Sequence, residues 1–332
     1  MSLEKRNERL DFMKGIAILF VILNHNIPLS ILDSYKYFYH IGQAVPIFMM
    51  VSGYLVYAKY SSQDLLENYH HFNKVFKRIM LPFAIVTMIQ ISIQIVLGIF
   101  NLKTLIVAAG IGPGSYYPWV FLQCTLFLPI IVFLINKFSK TYISGLIIIG
   151  ISIGLNVLCS VLHFPETIYR LLAIRYIFYL YLGCLWRKEG IHFNGKTVFI
   201  VILSVIFIGI EKYKQVNFSP LFFNSWQGYN WLGAFYTLAV ICFIDKLYQF
   251  IRIDQIKTFI SRLGKSSYEI FLTQMFIFSF LSPNLLSFIP SQFIRYMIYI
   301  LLTTLMSVLP VYSWKYIPKY KNKVKIENGT MH

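Results

Sequence analysis

Residues 8–28 read ERLDFMKGIAILFVILNHNIP, and this stretch decides the fold class. Arg9, Asp11 and Lys14 lead into an apolar run that ends on Asn24, His25 and Asn26. A cleaved signal peptide would have a short apolar core and a small-residue cleavage site, so the stretch predicts a retained membrane helix. The rest of the chain agrees. Of 332 residues, 57% are hydrophobic, 18% aromatic and only 13% charged, with a mean hydropathy of +0.63. That balance excludes an ordinary water-soluble domain.

The expected class is therefore an all-α, polytopic integral membrane protein. About 20 apolar residues are needed to cross a hydrocarbon core of about 30 Å. On that criterion the expected spans are 12–33, 40–58, 79–100, 117–135, 141–158, 168–187, 196–213, 230–246, 267–288 and 294–314. Together they fill a transmembrane domain over 1–320, leaving a short basic tail at 321–332. Between spans two and three, QDLLENYHHFNKVFKR at 63–78 has apolar residues three and four apart. It reads as a helix lying on the inner interface before the chain turns in at Leu81–Pro82.

Thirty Lys and Arg against thirteen Asp and Glu give a net charge of +17. With the amino terminus inside, 22 of the 30 basic residues fall on inner loops and margins, so both termini are expected in the cytoplasm. The excess charge is an orientation signal and a surface for anionic lipid, not a nucleic-acid stripe. Cys124, Cys159, Cys184 and Cys242 lie in apolar segments without CxxC spacing, so no zinc site, other metal site or disulfide framework is predicted.

Polar groups at membrane depth are functional candidates. On a helix Lys14 and His25 are about 20° from eclipsed and about 16.5 Å apart along the axis, so they line one path without touching. Imidazole suits proton transfer near neutrality, whereas Asp11 and Lys14 have the spacing of a simple ion pair. Pro46 and Gly53 would kink and close-pack span two, and Ser52 lies beside them. Tyr117 and Trp119 open span four as an aromatic belt or a sugar-stacking surface. Arg170 and Arg175 sit in span six. Ser266 and Glu269 are spaced as a capping box, and Gln274 lies deeper.

In order along the chain come Arg9-x-Asp11-x-x-Lys14-Gly15-Ile16-Ala17 with His25; Val45-Pro46-Ile47-Phe48-x-x-Val51-Ser52-Gly53-Tyr54; Lys77-Arg78-Ile79-x-Leu81-Pro82; Tyr117-Pro118-Trp119-Val120-Phe121-Leu122; and Ser261-x-Leu263-Gly264-x-x-Ser267-Tyr268-x-Ile270-Phe271-Leu272. This series resembles the membrane-bound acyltransferase family 3, which includes bacterial cell-surface glycan O-acetyltransferases. Lys14 stands where the family has Arg, and Gln274 where its late motif has His.

The resemblance implies transfer of acetyl from cytoplasmic acetyl-CoA, a cosubstrate and not a tightly bound cofactor, to a hydroxyl of a surface or lipid-linked glycan. It implies a place in the bacterial cytoplasmic membrane. The catalytic residues it implies are His25, as base or nucleophile, with Asp11, orienting the inner site, and Lys14. Lys14, Lys74, Lys77 and Arg78 would attract CoA phosphates. Ser52, Tyr117, Trp119, Arg170, Arg175, Glu269 and Gln274 would bind the acceptor or line the passage. The competing readings are a glycan or small-amphiphile exporter or flippase, and an inactive relative serving as an assembly subunit. Self-association is left open.

Overall fold

A computed structural model describes residues 7–60, 72–101, 116–192, 194–223, 228–281 and 283–329. Among these no strand occurs, and eleven helices have twelve residues or more. The first, α1 (Glu8–Asn26), starts where the Asn7 side chain accepts from the Arg9 N–H at 3.0 Å. Glu8 and Asp11 then lie against the positive end of the helix. There follow α2 (Ala44–Tyr60), α3 (Phe72–Val96), α4 (Tyr116–Lys137), α5 (Thr141–Val161) and α6 (Ile177–Glu189). The series ends with α7 (Gly195–Tyr213), α8 (Ala234–Phe250), α9 (Asp254–Lys265), α10 (Ser267–Phe278) and α11 (Gln292–Gly329).

Five segments are long and apolar enough to cross a membrane: Ile41–Tyr60, α3, α4, α5 and Gln292–Tyr316 of α11. They match the expected second, third, fourth, fifth and tenth spans. The other five expected spans fall on helices that are more charged or shorter. Two of these differ from the sequence reading in kind. In place of one helix over 168–187, a short turn at Glu166–Tyr169 and a 3-10 turn at Ile174–Tyr176 precede α6, which has 13 residues. Arg170 therefore ends the first turn and Arg175 sits in the second, on either side of a non-helical stretch. The expected span 267–288 is α-helical only to Phe278, with a short 3-10 turn at Pro283–Leu286 beyond, but α9 runs into it with a single non-helical residue, Ser266, between them.

The expected inner-surface helix is also revised. Residues 61–71 lie outside the described part, while Phe72–Arg78 are the opening turns of α3 itself. Pro82 is consequently inside α3, not in its first turn, and removes one internal hydrogen bond there. Pro46, by contrast, falls in the first turn of α2, where its missing N–H is harmless, so it does not kink the helix. The backbone of α11 continues as helix to Gly329.

Glycine permits the two closest helix pairs. A Cβ on Gly53 would strike the Leu180 carbonyl, and one on Gly183 the Met50 carbonyl, so α2 and the short, buried α6 pack backbone to backbone. Likewise a Cβ on Gly264 would strike the Asp11 carbonyl and one on Gly15 the Ile260 carbonyl, joining α1 to α9.

The α1 seam keeps one register along its whole length. Ser261 donates to the Glu8 carbonyl, Gly264 meets Asp11, Gln274 meets the Val21 carbonyl, and the Phe278 ring meets His25. Each pair is 253 residues apart, which holds only if α9 and α10 run parallel to α1 as one nearly continuous partner across Ser266. At one end of the bundle Arg9 pairs with Asp245, Tyr57 donates to Asn136, and Lys315 pairs with Glu269. At the other Tyr169 donates to Asn156, and the Phe38 N–H to Tyr213. Each bond joins helix regions that the basic-residue count assigns to the same side.

Candidate functional site

The site is built on the face of α1 that α10 covers. Lys14 and His25 share that face on one unbroken helix, about 16.5 Å apart along its axis. At the charged end the Lys14 ammonium lies 2.7 Å from the Asp11 carboxylate, whose side chain is 3% exposed against 19% for Lys14. The simple ion pair expected from their spacing is thus present, and it is nearly dry. Next to it the Arg9 guanidinium holds Asp245 of α8 with two hydrogen bonds. Asp245 escaped the sequence reading, although it is the single acid in the apolar stretch 230–246.

At the opposite end His25 is half-buried, with its ring edge-on to Phe278 at 6.1 Å between centroids. Gln274, one turn earlier on α10, is 2% exposed. Its Nε2 reaches the Val21 carbonyl at 3.5 Å, the long limit of a hydrogen bond, and its Oε1 is buried without a partner. Asn24 Oδ1 is in the same condition. Asn26 is anchored differently, donating to the Ile22 carbonyl at 2.8 Å and accepting from Thr303 of α11 at 2.7 Å. No spacing in the sequence announces Thr303.

Between the two ends the register sets Phe271 level with Ile18. The Tyr117 ring lies 5.5 Å from Phe271, 6.2 Å from Phe48 and 5.9 Å from Phe121. Four helices thereby contribute to a belt of apolar side chains at mid-path. Trp119 is two residues on and about 200° round the helix; it is exposed and touches Phe83 instead. The structure separates these two aromatic residues that the sequence reading grouped.

Arg170 and Arg175 form a cluster of their own. Both guanidiniums lie over the Tyr116 ring, at 5.9 and 5.0 Å, and Arg175 also lies over Tyr176 at 4.9 Å. Arg175 donates to the Arg170 carbonyl at 2.9 Å. The unwound backbone here is satisfied by Gln123 of α4, which donates to the Leu171 carbonyl at 2.6 Å and accepts from the Ala173 N–H at 3.1 Å. Irregular backbone at membrane depth requires such partners.

Two candidates turn to other work. Ser52 donates to the Phe48 carbonyl of its own helix at 2.8 Å. Glu269 is not part of a capping box, since Ser266 makes no side-chain cap; it pairs with Lys315 at 2.6 Å on an exposed surface. Lys74, Lys77 and Arg78 stand exposed on the first turns of α3, and Lys59 at the end of α2 lies within electrostatic reach of Lys74 and Arg78. Nearby, Arg187 donates to the Tyr54 hydroxyl at 3.0 Å, and Tyr54 packs on Trp186 at 4.4 Å.

A protein-family model described as an acyltransferase domain, Acyl_transf_3, matches residues 7–312. Comparison with curated proteins gives no match, and comparison with solved structures gives none.

Proposed function

The chain belongs to the acyltransferase 3 family, and on that footing we propose that this membrane acyltransferase carries acetyl from cytoplasmic acetyl-CoA to a hydroxyl of a cell-surface or lipid-linked glycan. The reading rests above all on α1, one helix that holds a cation at one end and an imidazole on the same face at the other. The aromatic belt of Tyr117, Phe48 and Phe271 lies between them.

A charged nucleotide cannot enter hydrocarbon, while a slender acyl-pantetheine arm can lie among apolar side chains. Lys14, Lys74, Lys77 and Arg78 would hold the phosphates at the cytoplasmic end by charge. The thioester would then reach the level of His25. There the acceptor oxygen attacks the thioester carbonyl as its proton passes to the imidazole; the C–O bond forms, the C–S bond breaks, and the departing thiolate takes up a proton. In the alternative order His25 itself accepts the acetyl group and passes it on. The same reading places the chain in the cytoplasmic membrane of a bacterium, with ten crossings and both termini in the cytoplasm. The basic-residue asymmetry and the pairing of helix regions at each end of the bundle support it.

The test is label transfer from radiolabelled acetyl-CoA to crude surface glycan by membranes containing the wild-type chain or His25→Ala. The variant is expected to insert normally and to lose transfer by at least a hundredfold, the scale of a missing acid–base group. Full turnover in His25→Ala would remove the imidazole from the reaction.

A further inference from the structure

The last turn of α1 is held by a bond that no motif marks. Asn26 follows His25 directly and ends the helix, because Ile27 is already extended and Pro28 behind it disfavours another turn. A terminal turn frays unless something holds it. Here two helices do. Phe278 of α10 lies against the His25 ring, and Thr303 of α11 donates to Asn26 Oδ1 at 2.7 Å. Both residues of that bond are buried, Asn26 at 3% exposed and Thr303 at 0%.

The direction of the bond is fixed by its neighbours. Asn26 Nδ2 must be the group that faces the Ile22 carbonyl at 2.8 Å, since two oxygens could not share that contact, and this turns Oδ1 toward α11. Thr303 has one hydroxyl proton to give, and the Tyr299 carbonyl of its own helix also lies 2.8 Å away. That carbonyl already takes the Thr303 N–H through the regular helix pattern. Asn26 Oδ1 has Thr303 as its one donor among the described residues. The proton therefore goes to Asn26, where a buried acceptor would otherwise be bare.

We propose that Thr303, acting through Asn26, is a positioning residue for His25. Its hydroxyl fixes the last turn of α1, so that the imidazole meets the acceptor oxygen and the thioester in one geometry. The proposal rests on the acyl-transfer reading above and adds to it a residue 277 positions further along the chain. Thr303 gives no proton to the reaction and acts by geometry alone. A displacement of about 1 Å at a reacting group can cost about a hundredfold in rate. A loosened turn at His25 would sample such displacements while the substrates bind as before, so the signature is a lower kcat at unchanged KM.

The experiment uses the full chain purified into lipid nanodiscs, with transfer from acetyl-CoA to crude surface glycan as the readout. Thr303→Val replaces the hydroxyl by a methyl group at equal size, and Thr303→Ser keeps the hydroxyl. In Thr303→Val kcat should fall about tenfold or more, with the KM for acetyl-CoA and for glycan unchanged, and Thr303→Ser should restore it. Asn26→Leu removes the other end of the bond and should show the same split, and adding Thr303→Val to it should cost nothing more. Wild-type kcat in Thr303→Val, an equal loss in Thr303→Ser, or a loss carried by KM would overturn the assignment. Should Thr303→Val fail to fold, Asn26→Leu decides alone: lower kcat at unchanged KM upholds it, and wild-type kcat overturns it. If the wild type transfers nothing to any glycan, the acyl-transfer reading fails. The anchor is then judged by amide hydrogen exchange over residues 22–27: faster exchange in Thr303→Val than in Thr303→Ser upholds the hold on the last turn, and equal exchange overturns it.

Discussion

The carbonyl of Asp11 occupies the place where Gly264 would carry a Cβ. The approach is between two backbones, so no flexible side chain can yield. It fixes the register in which α9 and α10 follow α1, and with it the placement of Gln274 and Phe278 beside the turn that carries His25.

Gly264→Ala should therefore destabilise the protein by about 1–3 kcal/mol, the range for forcing extra atoms into a packed interface. Gly154, in the middle of α5, has nothing within 4 Å of its own added Cβ. There the same substitution should be neutral or slightly stabilising, because alanine favours a helix. Thermal unfolding of the two variants side by side decides the matter. Equal melting temperatures would mean that the Asp11 contact does not hold the seam.

The Asp11–Lys14 pair calls for a different test, since Lys14 is proposed to attract phosphate while already 2.7 Å from a buried carboxylate. Removing one partner of a buried pair is worse than removing both, because it strands a charge. Lys14→Met should thus lose more stability than the double variant Asp11→Asn with Lys14→Met. Both should raise the KM for acetyl-CoA, because both lack the ammonium. A normal acetyl-CoA KM in the more stable double variant would make the pair purely structural.

Much of this arrangement is legible in the sequence, for reasons specific to each segment. Residues 8–26 declare a helix through a continuous apolar run, and Lys14 and His25 share a face by helical geometry alone. What the chain does not announce depends on partners distant in sequence. Hydropathy over 168–187 suggests one helix, yet Gln123, some 48 residues earlier, meets the backbone needs of an unwound stretch there. The spacing of Ser266 and Glu269 suggests a cap, yet Lys315 takes the carboxylate. Apolar periodicity at 72–78 suggests a surface helix, yet these residues continue straight into α3. Gln274 is visible as a polar residue in an apolar span. Its meeting with Val21 requires the two glycines that let α1 and α9 touch.

Gln123 offers the last test, because a single amide satisfies both a carbonyl and an N–H of the unwound segment. Gln123→Leu keeps most of the bulk but removes the partner of the Leu171 carbonyl and of the Ala173 N–H, both in part-buried bonds. An unmet buried polar group is worth about 1–3 kcal/mol, so the variant should lose a few kcal/mol in thermal unfolding. Gln123→Glu as a carboxylate could still accept from Ala173 while losing its donation to Leu171, and should fall between the wild type and Leu. The damage should also be local. Arg170 and Arg175 bracket the segment and lie over Tyr116, so hydrogen exchange over 170–176 should rise in Gln123→Leu before exchange rises in α1. Wild-type stability and protection in that variant would mean that the unwound stretch is held by its arginines and not by the amide.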